Sequence, residues 1–271
     1  MMKISVFYEH IIEAAQQTSK SVTEICKLAV SYGITGVEIE NTRLLDKEND
    51  VLNILRQTGL EISCIYGFFD FSHNGDIKDG LQMVDLALKV NARKIMVIPG
   101  FIEGIEKFPF IYQRKTEKMV RALNTISSYA SENNVMLVLE DFDDKIAPYS
   151  NARGLKYFLD HVKGMKCAFD TGNFLYSEED SYKMLPMFIN QIGHVHCKDR
   201  SFRKKEGEIY KKTIKGREMY SCAVGSGCIK MKDIIEEILQ SGYDDYFAIE
   251  HFGSLCQLKD MEESARWLQE F

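Results

Sequence analysis

Eight short runs of β-branched and apolar residues recur along this chain, with helix-like stretches between them. The runs are KISVF (3–7), GVEIE (36–40), EISCIY (61–66), KIMVIP (94–99), VMLVLE (135–140), KCAFD (166–170), IGHVHC (192–197) and YFAIE (246–250). Strands alternating with helices make βαβ units and a parallel sheet. Eight such units in 271 residues have the size of a (β/α)₈ TIM barrel. The rival, a doubly wound open sheet, usually carries a glycine-rich phosphate turn after its first strand, and SVFYEHIIE has none. The expected fold is therefore α/β, a single (β/α)₈ barrel of one domain over residues 1–271.

The intervening segments have recognisable ends. Ser21-Val-Thr-Glu24 is a capping-box pattern that opens a helix through Ile25, Leu28 and Ala29, with Gly33 as its stop. Leu81, Val84 and Leu88 share a helical face, as do Met119, Leu123 and Ile126. The segment LKDMEESARWLQE closes the chain as a helix. Two connections are long: GFIEGIEKFPFIY (100–112) after the fourth strand, and the stretch from Lys198 to about Lys230 after the seventh. In a barrel both lie on the face that carries active sites.

Charge and cysteine usage narrow the partners. A net charge of −6 with no long run of one sign argues against a nucleic-acid partner. No apolar window is long enough for a signal peptide or a membrane span. Seven cysteines with no CxxC pair argue against a disulfide framework and point to the cytoplasm.

Chemistry concentrates at the ends of the last four barrel strands. Strand five ends in Glu140, strand six in Asp170, strand seven near His196 and strand eight in Glu250. In a barrel these side chains point into one mouth. Three carboxylates and an imidazole suit one divalent cation, Mn²⁺, Mg²⁺ or Co²⁺ before Zn²⁺, because hard oxygen donors dominate. Taken singly, each has a plainer use as a helix cap or a buried core residue. Four at successive strand ends are hard to supply by capping alone. His194, one pleat deeper, reads as core or support for the site, and His251 should face away. His10 and His73 lie in loops on the active side.

The segments VLEDF, FDTGNF, HVHCKD and FAIE, with GITGVEIE early and VGSGCIKMKDIIEEILQSGYDDYFAIE late, resemble the xylose isomerase-like TIM-barrel superfamily. The group includes sugar and sugar-phosphate isomerases and epimerases, inosose dehydratases and the endonuclease IV type. The resemblance implies that Glu140, Asp170, His196 and Glu250 bind the metal, with Glu140 and Glu250 also acting as acid and base. It implies proton transfer beside a carbonyl through a metal-stabilised enediolate, on a small sugar or polyol. The endonuclease IV type takes additional histidines where this chain has Tyr66-Gly67, Pro99-Gly100 and Asn173, which argues against DNA repair. Asn173 stands where the tagatose-epimerase branch uses a histidine on its substrate. His196-Cys197-Lys198-Asp199 is closer to inosose dehydratases, so a lyase is the alternative within enzymes. A non-catalytic metal- or carbohydrate-binding barrel is the alternative outside them.

Three further residues are expected to touch substrate: Lys198, Asn173 and Glu38, the last equally suited to orienting a neighbour. Backbone N–H groups at Gly225-Ser226-Gly227 could bind an anion, although a tight turn is the commoner use of such a pair. Phe101, Phe108, Phe110 and Tyr112 are expected to roof the sugar or meet a second subunit of a homo-oligomer.

Overall fold

A computed structural model describes residues 2–73, 77–204 and 206–271. Eight strands form a closed parallel barrel: β1 (Lys3–Phe7), β2 (Gly36–Glu40), β3 (Glu61–Phe68), β4 (Lys94–Ile98), β5 (Met136–Leu139), β6 (Lys166–Asp170), β7 (Ile192–Cys197) and, after the three strands introduced below, β11 (Tyr246–Ile249). Neighbours follow chain order around the ring, and β11 closes it by pairing with both β7 and β1. Both faces of these strands are covered, which is why they read as near-continuous apolar runs. KIMVI of β4 and YFAI of β11 are buried at every position.

The surrounding helices show one apolar stripe each. In the helix Met231–Gln240, Met231, Ile234, Ile235 and Ile238 are buried, a spacing that puts them on one face. The capping box at Ser21 forms in both directions: the Glu24 N–H donates to Ser21 Oγ at 3.2 Å, and the Ser21 N–H donates to Glu24 Oε2 at 2.8 Å. That helix, Val22–Ser31, stops where Gly33 adopts a φ of +85°.

The long segment after β7 holds structure that its sequence did not announce. β8 (Asp199–Ser201), β9 (Lys211–Lys212) and β10 (Glu218–Cys222) form a small antiparallel sheet in the order β8-β10-β9. It stands beside the C-terminal mouth of the barrel and brings Arg200, Tyr210 and Lys211 into the wall of the cavity there. Among the described residues no helix is long and apolar enough to cross a membrane.

Candidate active site

Strand register sets the heights of the key side chains. Asp170 on β6 is level with His196 on β7, and His196 is level with Ala248 on β11, so Glu250 lies one pleat further toward the mouth. Glu140 directly follows β5. Ligand atoms of Glu140, Asp170, His196 and Glu250 all lie within 4.8 Å of one another, and all four residues are buried. Nδ1 of His196 is 2.9 Å from Glu140 Oε2, 3.5 Å from Glu250 Oε2 and 3.8 Å from Asp170 Oδ2. The structure thus brings together the four side chains that the sequence placed at successive strand ends.

The local sequence explains how Asp170 and Lys198 are held. Asp170 Oδ1 accepts the N–H groups of Gly172 at 2.7 Å and Asn173 at 2.8 Å, so the DTGN turn folds back on its own aspartate. Its other oxygen, Oδ2, is buried and accepts no hydrogen bond among the described residues. That oxygen faces the Lys198 ammonium at 3.3 Å. Thr171 Oγ1 lies 2.9 Å from both the carbonyl and the N–H of Lys198 and fixes its backbone. The Lys198 ammonium donates to Asn173 Oδ1 at 2.7 Å and pairs with Glu250.

Gly172 matters here for what it lacks. A Cβ at that position would lie 2.6 Å from the Lys198 carbonyl oxygen and 2.7 Å from its Cγ. Gly172→Ala should therefore displace Lys198 and the aspartate turn together. We expect Mn²⁺ affinity, measured by calorimetry, to fall about tenfold or more, in line with other losses of support around a metal site.

Charge at the site is crowded. Burial pushes Glu140 upward, and burial with Asp170 and Glu140 close by pushes Glu250 up to about 8 against the pull of Lys198. Burial acts on Asp170 in the same direction, but Lys198 and His196 outweigh it and hold that carboxyl below the usual range. Three buried carboxylates and a ring nitrogen within 3.8 Å of all three form a donor set that fits one hard divalent cation.

Glu38 lies elsewhere than in the cavity. It is fully buried beneath the site, with Oε2 at 3.1 Å from His196 Nε2 and 2.8 Å from His194 Nε2. Of the two uses expected for it, orienting a neighbour is the one its contacts match. Burial works against its charge, but His196 and His194 hold the carboxyl well below the usual range. His194 is fully buried, as both of its expected uses, core and support, require. His251 is not among the four clustered residues and stacks on His10 at 4.8 Å. His73 pairs with Asp70 and Glu106, well outside the cluster.

Above the four lies a cavity of about 680 Å³ lined by Glu140, Glu250, Asn173 and Lys198 among others. Its aromatic wall is made by Phe7, Tyr66, Phe68, Phe142, Tyr210 and Phe252. None of Phe101, Phe108, Phe110 and Tyr112, expected to roof the sugar or to meet a second subunit, is part of that lining. Phe108 and Phe110 are exposed instead, while Phe101 packs on Phe142 at 5.2 Å. The Gly225 and Gly227 N–H groups are already occupied, donating to Asp199 Oδ2 at 3.1 and 2.8 Å, so that pair serves a turn. Sequence reasoning missed Asp143, which ties Arg200 to Lys211 in the cavity wall, because the small sheet that joins them was not legible.

Comparison with known proteins agrees with this architecture. The family described as a xylose isomerase-like TIM barrel matches residues 26–271. The chain is 25% identical over 183 residues to an inosose dehydratase of Geobacillus thermodenitrificans, covering 61% of this chain and 59% of that one. It spans only 48–59% of the length of the curated relatives it matches. Its fold is similar to that of the probable 3-DHS dehydratase AsbF of Bacillus anthracis, with a TM-score of 0.75, 20% identity and 99% of each chain covered. It is also similar to that of a D-allulose 3-epimerase from Methylomonas sp., with a TM-score of 0.76, 12% identity and coverage of 99% and 97%.

Proposed function

The chain belongs to the xylose isomerase-like TIM-barrel family, and on that premise we propose that it is a divalent-metal-dependent sugar or sugar-phosphate isomerase or epimerase. The observation that carries the reading is the convergence of four buried ligand groups at the floor of a cavity with ample room for a small polyol. Glu140, Asp170, His196 and Glu250 would hold the cation, for which Mn²⁺, Mg²⁺ and Co²⁺ are the best matches. When bound, it supplies a Lewis acid for a carbonyl oxygen and a neighbouring hydroxyl.

The chain's own residues then divide the work. One of Glu140 and Glu250 takes the proton from the carbon beside the carbonyl, and the other returns a proton, on the same or the adjacent carbon. The Lys198 ammonium, held by Asn173 and Glu250, donates to a substrate oxygen. Asn173 cannot turn freely toward substrate, because its Nδ2 donates to the Asp141 carbonyl at 2.7 Å. Its part is to position Lys198. The aromatic wall offers the reacting carbons an apolar surface.

A dehydratase is the second reading, favoured by the placement of Lys198 and by the inosose dehydratases among the relatives. There Lys198 would protonate a departing hydroxyl after the same proton removal. Incubation with a panel of ketoses, inososes and their phosphates in deuterated water with Mg²⁺ separates the readings by mass spectrometry. We expect one solvent deuteron on carbon without loss of mass. Loss of water would establish the dehydratase, and no exchange on any compound would leave a binding barrel.

A further inference from the structure

Beneath the metal-site residues a line of buried polar groups crosses the barrel toward its opposite mouth. It runs from Glu140 through His196, Glu38 and His194 to Lys94, the first residue of β4, and ends on Asp245 just before β11. The Lys94 ammonium is 2.9 Å from His194 Nδ1 and 3.0 Å from Asp245 Oδ2. Every one of these side chains except that of Asp245 is at least nine-tenths buried.

The chemistry of each group fixes the direction of each bond. An ammonium only donates, and that of Lys94 pairs with the Asp245 carboxylate. His194 Nδ1 must therefore accept, so the ring's hydrogen is on Nε2 and is donated to Glu38. Glu38 only accepts, so it takes a second hydrogen from His196 Nε2 on the same oxygen. With Nε2 committed to Glu38, His196 presents Nδ1 to Glu140, Asp170 and Glu250.

We propose that Lys94, on the far side of the barrel from the cavity, is a positioning residue that fixes the tautomer of His194 and, through Glu38, the orientation of the proposed metal ligand His196. The consequence for the metal rests on the function proposed above; the ring assignment does not. A lysine at this strand start would otherwise be a costly choice, since it is buried to 2% exposure where an apolar residue would pack.

Two measurements test the proposal. Two-bond ¹H–¹⁵N correlation spectra of the metal-free protein should show His194 with an unprotonated Nδ1 and a protonated Nε2. A protonated Nδ1 on His194 in the wild type would overturn the proposal without any variant. Calorimetry with Mn²⁺ should then show Lys94→Met weakened about 10-fold, with Lys94→Arg closer to wild type because it keeps charge and donors. If Lys94→Met folds, keeps its His194 signals and binds Mn²⁺ as the wild type does, Lys94 positions nothing. Absence of Mn²⁺ binding in the wild type would instead count against the metal site itself, with the ring signals still deciding the tautomer.

Discussion

Glu250→Gln is expected to lower turnover by roughly two to four orders of magnitude, and Glu140→Gln by a similar factor, once a converted sugar has been identified. Glutamine keeps the size of the side chain and one oxygen, but it cannot take a proton at neutral pH. The effect should fall on kcat more than on KM, because the lost group acts on the reacting carbon rather than on binding. Each glutamate is also a proposed ligand, so the kinetics are to be read at saturating Mn²⁺. Thermal unfolding should show both variants folded, since each substitution keeps the side chain's size in a cluster where burial already works against a further charge. Near-wild-type kcat in both variants would remove the acid/base assignment.

The second large effect concerns the ligands that take no part in proton transfer. His196→Ala deletes the ring nitrogen that lies within 3.8 Å of all three carboxylates. Asp170→Asn removes the charge from the oxygen that faces the Lys198 ammonium at 3.3 Å. We expect either variant to lose Mn²⁺ affinity by about 100-fold or more by calorimetry, beyond the range seen when only an outer partner is removed. Conversion should fall in parallel and recover in part with added Mn²⁺. Unchanged affinity in both variants would place the cation elsewhere or remove it from the account.

How much of this could be read from the residues differs between the barrel and its attachments. All eight barrel strands fall where their apolar runs stand, because burial on both faces forces continuous hydrophobic sequence. The Ser21 capping box was equally legible, since its two hydrogen bonds depend only on residue types three apart. β8 to β10 were not. They are two to five residues long, carry charged residues such as Lys211, Lys212 and Glu218, and gain their partners only from the way the segment folds back.

The same contrast holds within the site. Glu140, Asp170, His196 and Glu250 could be gathered because a barrel brings strand ends to one mouth, so position along each strand was enough. Glu38 needed height as well as direction. It points inward, but β2 continues to Glu40, which leaves Glu38 below the cavity and against the histidines. Lys94 gave no signal because it opens its strand, at the end of the barrel away from the mouth, where a lysine ordinarily reaches solvent. Only the fold shows that it turns inward to His194.

The most direct test of the metal site is anomalous scattering at the manganese edge from crystals grown with saturating Mn²⁺. One strong peak is expected within bonding distance of Glu140, Asp170, His196 and Glu250. A clean map with no peak among those four side chains would contradict it.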